Sequence, residues 1–264
     1  RAPVLDVVTG VYPIAQAAKQ IGQTKVKVTD VVPPGADPLT YRLPPRATAT
    51  VKAAGLVVLA GGGLQPSLRA AADQAHHVLT VDDALHSRDA YFWLDPTEMN
   101  KAVAAIASAM ERANPPAAGL YRNGAQGFSE AVASTGIDYE NTLSACPRRT
   151  VVTASGEFGP MSRSYDLHNL VVGTSPNPNP DDVGRAAAAV QAAGATTVFT
   201  EPWVSDATAR AVAGAARVHL GTLDTLLGPP PGGWPSVANY VRLMEANLGA
   251  LSAALGCPAL GTGA

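Results

Sequence analysis

The side chains in this sequence best suited to chemistry are the carboxylates of Glu157, Glu201 and Asp224, the hydroxyl of Ser155 and the phenol of Tyr91. Ser155 follows a strand-like run and precedes a helix-like one, which is where a nucleophile elbow would stand. The stretch Thr153-Ala154-Ser155-Gly156-Glu157 nevertheless fails G-x-S-x-G at both glycine positions. No histidine is placed by a recognisable motif to act as its base. Gly61-Gly62-Gly63 also follows a strand-like run, but Pro66 takes the last position of G-x-G-x-x-G. Hydrolase and dinucleotide chemistry are therefore set aside, and the chain reads as a binding protein rather than an enzyme.

Metal chemistry is the next question. His86 lies five residues before Tyr91 in a polar stretch with Asp82, Asp83 and Asp89. It reads first as a solvated loop histidine and second as a metal ligand. His76 and His77 adjoin a strand and read as cap or surface residues, whereas His168 and His219 precede or lie in strands and read as core residues. A phenolate beside carboxylates suits a hard ion such as ferric iron, with Tyr91, Asp224 and Glu157 or Glu201 as donors. The aromatic residues Tyr41, Phe92, Trp93 and Trp203 suit an organic ligand or a metal chelate, with Asp224, Ser155 and Glu157 as polar anchors. The plainer reading of Phe92 and Trp93 is that they pack in the core.

The elements that must position these residues alternate. Strands are expected at 4–9, 25–31, 56–60 and 78–81, and again at 150–153, 170–173, 197–200 and 218–223, each short and rich in Val and Leu. Helices are expected at 14–21, 46–54 and 64–75 in the first half, and near 161–165, 182–193 and 206–215 in the second. Residues 236–255 read as a closing amphipathic helix with Val237, Tyr240, Val241, Met244, Leu248 and Leu251 on one stripe. A helical region from Thr97 to about Ala145 is broken at Asn114-Pro115-Pro116. Its second piece carries Gly119, Gly124, Gly127 and Gly136, so it either depends on packing or breaks. The implied fold is α/β, with two lobes that are each a mostly parallel four-stranded sheet flanked by helices, joined by a long connecting helix. The boundaries read as an N-terminal lobe over 1–114, a connecting helix over 115–146 and a C-terminal lobe over 147–264. Ligands of such lobes usually bind at the carboxyl ends of the strands.

Composition narrows the class. The chain has 264 residues, 47% of them hydrophobic and 15% charged, which suits a folded globular protein. A net charge of −2 offers no basic footprint for nucleic acid. No apolar run approaches the roughly 20 residues that span a bilayer. The first residue is Arg1 rather than Met, which fits a removed signal or anchor segment. The two cysteines, Cys146 and Cys257, form no C-x-x-C pair. Free thiols and a single disulfide are both open at this point.

Five segments, in order along the chain, resemble one family. They are Val31-Val32-Pro33-Pro34-Gly35-Ala36-Asp37-Pro38-Leu39-Thr40-Tyr41, Tyr91-Phe92-Trp93-Leu94-Asp95-Pro96, Val152-Thr153-Ala154-Ser155-Gly156-Glu157-Phe158-Gly159, Val198-Phe199-Thr200-Glu201-Pro202 and Leu223-Asp224-Thr225-Leu226. They are similar to segments of the substrate-binding proteins that deliver zinc or manganese to ABC importers, the cluster A-I metal-ion solute-binding proteins. The resemblance implies a two-lobed extracytoplasmic receptor with one metal in the interlobe cleft, held by two ligands from each lobe, usually three histidines and an aspartate or a mix with glutamate. It implies a membrane permease as partner, a monomeric receptor and a Cys146–Cys257 disulfide. No resident cofactor is implied, and a metal ion or metal chelate is a candidate cargo.

The departure from the family is in the ligands themselves. The three histidine positions are occupied by Leu39, Tyr91 and Ser155, and Asp224 alone is kept. Leu39 donates nothing, and neutral hydroxyls bind a divalent ion poorly near pH 7. Zinc wants about four Cys, His or carboxylate donors. The expectation is a receptor for a chelated metal, an organic ligand or an altered metal. A second reading is an accessory protein that keeps the fold and binds no metal.

Overall fold

A computed structural model describes residues 3–87, 89–229, 233 and 239–258. Strand β1 (Leu5–Thr9) leads into α1 (Tyr12–Gly22), followed by β2 (Val26–Asp30), α2 (Pro45–Ala53), β3 (Leu56–Leu59), α3 (Pro66–Ala72), β4 (Val78–Thr80) and α4 (Val81–Leu85). The helices α5 (Pro96–Ala113) and α6 (Ala118–Ser144) come next. The second half runs β5 (Thr150–Thr153), α7 (Gly159–Ser164), β6 (His168–Val171), α8 (Pro180–Ala192), β7 (Thr197–Thr200), α9 (Ala207–Ala216), β8 (His219–Thr222) and α10 (Tyr240–Leu255).

The strands form two four-stranded sheets, ordered β2-β1-β3-β4 and β6-β5-β7-β8, and every pairing is parallel. Parallel neighbours need a crossover, which explains the helix after each strand. Buried on both faces, β3 is apolar at all four positions, Leu56-Val57-Val58-Leu59. Proline stands in the first turn of α1, α2, α3, α5, α7 and α8, where its missing N–H is not needed. Asp95 caps α5 by accepting from the Thr97 N–H at 2.8 Å, and Asn179 caps α8 through Asp181 at 2.8 Å.

The chain divides into two compact units, Arg1–Ser134 with Leu226–Val241, and Thr135–Thr225 with Arg242–Ala264. In the first, Val8, Val51, Val57 and Leu68 form a core between the sheet and α2–α3. In the second, Val152, Val190, Val198 and Val212 do so between the sheet and α8–α9. Cys146 and Cys257 are joined as a disulfide in the second unit. Among the described residues no helix is long and apolar enough to cross a membrane.

The expected α/β architecture is present, and α6 is continuous despite its glycines. Three local expectations differ. Val81, read as the end of the fourth strand, and residues 82–85, read as part of a polar loop, form α4, with Asp82 and Asp83 in its first turn where the helix dipole favours negative charge. Strand β6 starts two residues before the apolar run because its ladder with β5 begins at His168 opposite Thr150. His168 and His219 are exposed, since both stand on edge strands rather than in the core. The start of the closing helix, expected at 236, and Val237 lie outside the described residues; from Tyr240 the helix is as expected.

Candidate functional site

In the first unit the Pro-Pro-Gly-Ala-Asp-Pro segment builds a turn around Asp37. Its carboxylate accepts the Leu39 N–H at 2.9 Å and the Thr40 hydroxyl at 2.7 Å, and its carbonyl accepts the Tyr41 N–H at 3.0 Å. Gly35 supplies the left-handed backbone of the turn at φ +82°. The frame therefore holds residue 39 in a fixed place, and what it presents there is a half-buried leucine. Tyr91 opens a single 3₁₀ turn, its carbonyl accepting the Leu94 N–H at 3.0 Å. Its ring lies 5.3 Å from that of Trp93. Phe92 and Trp93 are themselves core residues, 2% and 0% exposed, so of the three aromatics only Tyr91 keeps an accessible face. His86 is exposed and ends α4 in a left-handed conformation at φ +51°. Its imidazole has no hydrogen-bond or ion-pair partner among the described residues, consistent with a solvated histidine.

In the second unit the strand order places three of the candidate positions on adjacent strand ends. Ser155 is two residues beyond β5, Glu201 one beyond β7 and Asp224 two beyond β8. Parallel strands all end on one edge of the sheet, so topology alone gathers these residues. Glu201 is buried, and its carboxylate grips Ser155 twice, accepting the backbone N–H at 2.9 Å and the hydroxyl in a very short contact. Thr153 fixes the same loop, its hydroxyl bonding the Ser155 carbonyl at 2.6 Å and Asn169 Oδ1 at 2.9 Å. Ser155 is thus a hydrogen-bond donor to a carboxylate, without a histidine base in the unit's strand-end set.

Burial pushes the Glu201 carboxyl up to about 7; the two Ser155 bonds act against this, and the neighbouring Glu157 reinforces it. Glu157 is half-buried, and its carboxyl meets that of Glu201, so the two acids share one covered site. Trp203, in the loop after β7, has φ +73°, a conformation that costs an aromatic residue of order 1–3 kcal/mol. Its indole Nε1–H is buried with no hydrogen-bond partner among the described residues. A covered donor left unmatched is a feature that a ligand can satisfy. Asp224 is positioned by Asn247, whose side-chain amide accepts the Asp224 N–H and donates to its carbonyl, both at 2.8 Å.

The sequence reading singled out Ser155, Glu157, Glu201, Trp203 and Asp224, and the second unit carries them all. It missed Asn247. The signal was present: Asn247 is 4% exposed and sits on the same face of α10 as Met244, Leu248 and Leu251. A lone amide on an apolar stripe needs a partner, and here the partner is the backbone of a site residue. Among the described residues, no three His, Cys, Asp or Glu side chains gather as a metal site.

The family described as ZnuA, zinc-uptake complex component A periplasmic, matches residues 7–254. The chain belongs to this family. It is 23% identical to the zinc-binding lipoprotein AdcA of Streptococcus pneumoniae, over 94% of this chain and 55% of AdcA, so it spans about half the length of that relative. It is 22% identical to the high-affinity zinc uptake system protein ZnuA of Bacillus subtilis, over 95% of this chain and 88% of that protein. Among solved structures, the Zn(II)-bound ZnuA-like domain of Streptococcus pneumoniae AdcA superposes with TM-score 0.83 at 22% identity, covering 96% of this chain and 99% of the domain. The periplasmic zinc-binding protein TroA of Treponema pallidum does so with TM-score 0.84 at 20% identity, covering 96% and 99%. These likenesses fix the ZnuA-type fold. The ZnuA family consists of solute-binding receptors for ABC importers, not enzymes.

Proposed function

We propose that this protein is the extracytoplasmic cargo receptor of an ABC importer, delivering to a membrane permease as a monomer. We further propose that its cargo is not a bare zinc or manganese ion. The observation that carries this is the donor set. At the four positions that resemble the family's metal ligands stand a leucine, a tyrosine, a serine whose hydroxyl is engaged by Glu201, and one aspartate. Zinc held by one carboxylate and two neutral hydroxyls lacks the nitrogen and sulfur donors that make such sites tight.

A cargo with an organic part suits the same residues better. Tyr91 offers a ring face, Trp203 an unmatched indole donor, and Glu157 and Asp224 offer carboxylate oxygens. Leu39 adds apolar contact in place of coordination. A metal chelate and a purely organic molecule both fit this chemistry. A hard ion bound directly would draw on Tyr91 and Asp224, with Glu201 or His86 as further donors.

The deciding experiment is native mass spectrometry and elemental analysis of the purified protein, with zinc titrated at micromolar concentration. The expected result is an organic or chelate adduct and no zinc-dependent rise in melting temperature, since a ligand at 100 times its Kd would stabilise by about 2.7 kcal/mol. Anomalous scattering from an ion coordinated by Tyr91, Ser155 and Asp224 would overturn the reading. Failure of every ligand to shift the melt would favour an inert scaffold.

A further inference from the structure

The first unit contains a cavity of about 430 Å³ that Leu39, Tyr91 and His86 do not line. It lies at the carboxyl ends of β3 and β4, between α3 and α4, within the roughly 300–1,000 Å³ range of small-molecule sites. One wall is apolar, formed by Leu59, Leu64, Pro66 and Ala70. The polar lining holds Arg69, Asp73, Asp82 and Asp83, and most of those charges are already matched.

The glycine loop Gly61-Gly62-Gly63 adopts φ values of +98°, +60° and +77°, a left-handed run that only glycine adopts readily, and one of its N–H groups, that of Gly62, holds an anion. Its anion is internal. Gly62 N–H donates to Asp82 Oδ2 at 2.6 Å, and the Asp83 N–H donates to Asp82 Oδ1 at 2.7 Å. A side chain at Gly61 would fall on that carboxylate, so the loop is glycine because Asp82 sits against it. A phosphate therefore has no place here. Arg69 is also engaged, donating to the Thr80 hydroxyl at 3.3 Å and standing 3.8 Å from Asp73. That leaves the carboxylate of Asp83, which has no hydrogen-bond or ion-pair partner among the described residues.

We propose that this cavity binds a small organic ammonium ion, its charge on Asp83 and its apolar body against Leu59, Leu64, Pro66 and Ala70. One free carboxylate is too few donors for a metal ion. It is sufficient for an ammonium group, whose remaining N–H donors can stay in solvent at the open rim. The assignment is independent of the cargo reading above, because the two share no residue.

The test is calorimetric titration of the intact protein with benzylammonium, benzyl alcohol and benzoate as probes. Benzylammonium is expected to bind saturably in the millimolar range or tighter, with the alcohol and the acid at least about tenfold weaker. Asp83→Asn should weaken the amine about tenfold or more. Ala70→Trp, at an exposed wall position, should block it while Asp83 is intact. Circular dichroism melts report that both variants are folded. Benzoate or benzyl alcohol binding as well as the amine, unchanged affinity in both variants, or no saturable amine binding would each overturn the proposal.

Discussion

Glu201 is the residue on which the chemistry of the second unit turns, because it is a buried acid that orients Ser155 and faces a second acid, Glu157. Its folded pKa of about 7 lies above the ordinary carboxylate range that applies in the unfolded chain. Between about pH 5 and 7 the folded protein therefore holds a proton that the unfolded chain has released. The unfolded state binds fewer protons, so stability falls as pH rises through this window and levels off above it. Asp30, pushed up to about 6 by burial at the end of β2, contributes in the same direction. Glu201→Gln should remove part of the slope, flattening the loss of stability from pH 5 to pH 8 by on the order of 2 kcal/mol. Urea melts of both proteins across that range measure it. An equal slope in the two would show that Glu201 does not hold the proton.

Site residues at this scale were legible only in part. Ser155 and Asp224 could be placed because the apolar runs before them fix strand ends, and parallel strands end together. That Ser155 is held by Glu201, 46 positions away, and Asp224 by Asn247, 23 away, follows from strand and helix neighbours that no local pattern announces.

Among the elements, α6 makes the clearest contrast between what pattern and packing decide. Four glycines in one long helical stretch argue for weakness, each disfavoured by roughly 1 kcal/mol against alanine. The structure separates two of them. Gly124 is buried where α6 crosses the end of α1, and a Cβ there would fall on the Ile21 carbonyl oxygen. Gly127 is exposed, and a Cβ would meet nothing within 4 Å. Gly124→Ala should destabilise by about 1–3 kcal/mol, because backbone must move to admit the methyl group. Gly127→Ala should stabilise by about 0.5–1 kcal/mol through helix propensity alone. Thermal melts of the two variants should move in opposite directions, and a shift of the same sign would refute the close approach. The sheets were legible for a related reason: β3 is apolar at all four positions and β5 at its two central ones, because both strands are inner strands buried on both faces. Edge strands were less so. In β6, Val171 is 48% exposed while His168 pairs in the ladder, so apolar composition misplaced the strand start. Helix α4 is five residues long with two aspartates and one buried position, too short for a periodic signal.

For the molecule as a whole, the disulfide is the one covalent constraint on the fold. Cys146 follows the end of α6 and Cys257 follows the end of α10, with a sequence separation of 111. All four strands of the second sheet lie inside the loop so closed. Closing a loop of that length restricts the unfolded chain, and the chain-entropy account puts the effect near 4–5 kcal/mol, with 2–5 observed when native bonds are removed. The edges of that sheet need the help: β6 and β8 are exposed at their first residues, and Val171 and Leu220 are apolar side chains open to solvent. Arg148 adds noncovalent contacts at the same place, its backbone N–H and its guanidinium both reaching the Leu255 carbonyl, at 3.3 and 3.2 Å. Replacing both cysteines by serine should lower the urea midpoint by an amount equivalent to about 2–5 kcal/mol, and dithiothreitol should do the same to the native protein but not to the double variant. Limited proteolysis of the double variant should cut first between residues 147 and 256, where the constraint has been lost. Cleavage starting in the first sheet, or a midpoint unchanged by reduction, would mean that packing of α6 and α10 holds this unit without the bond.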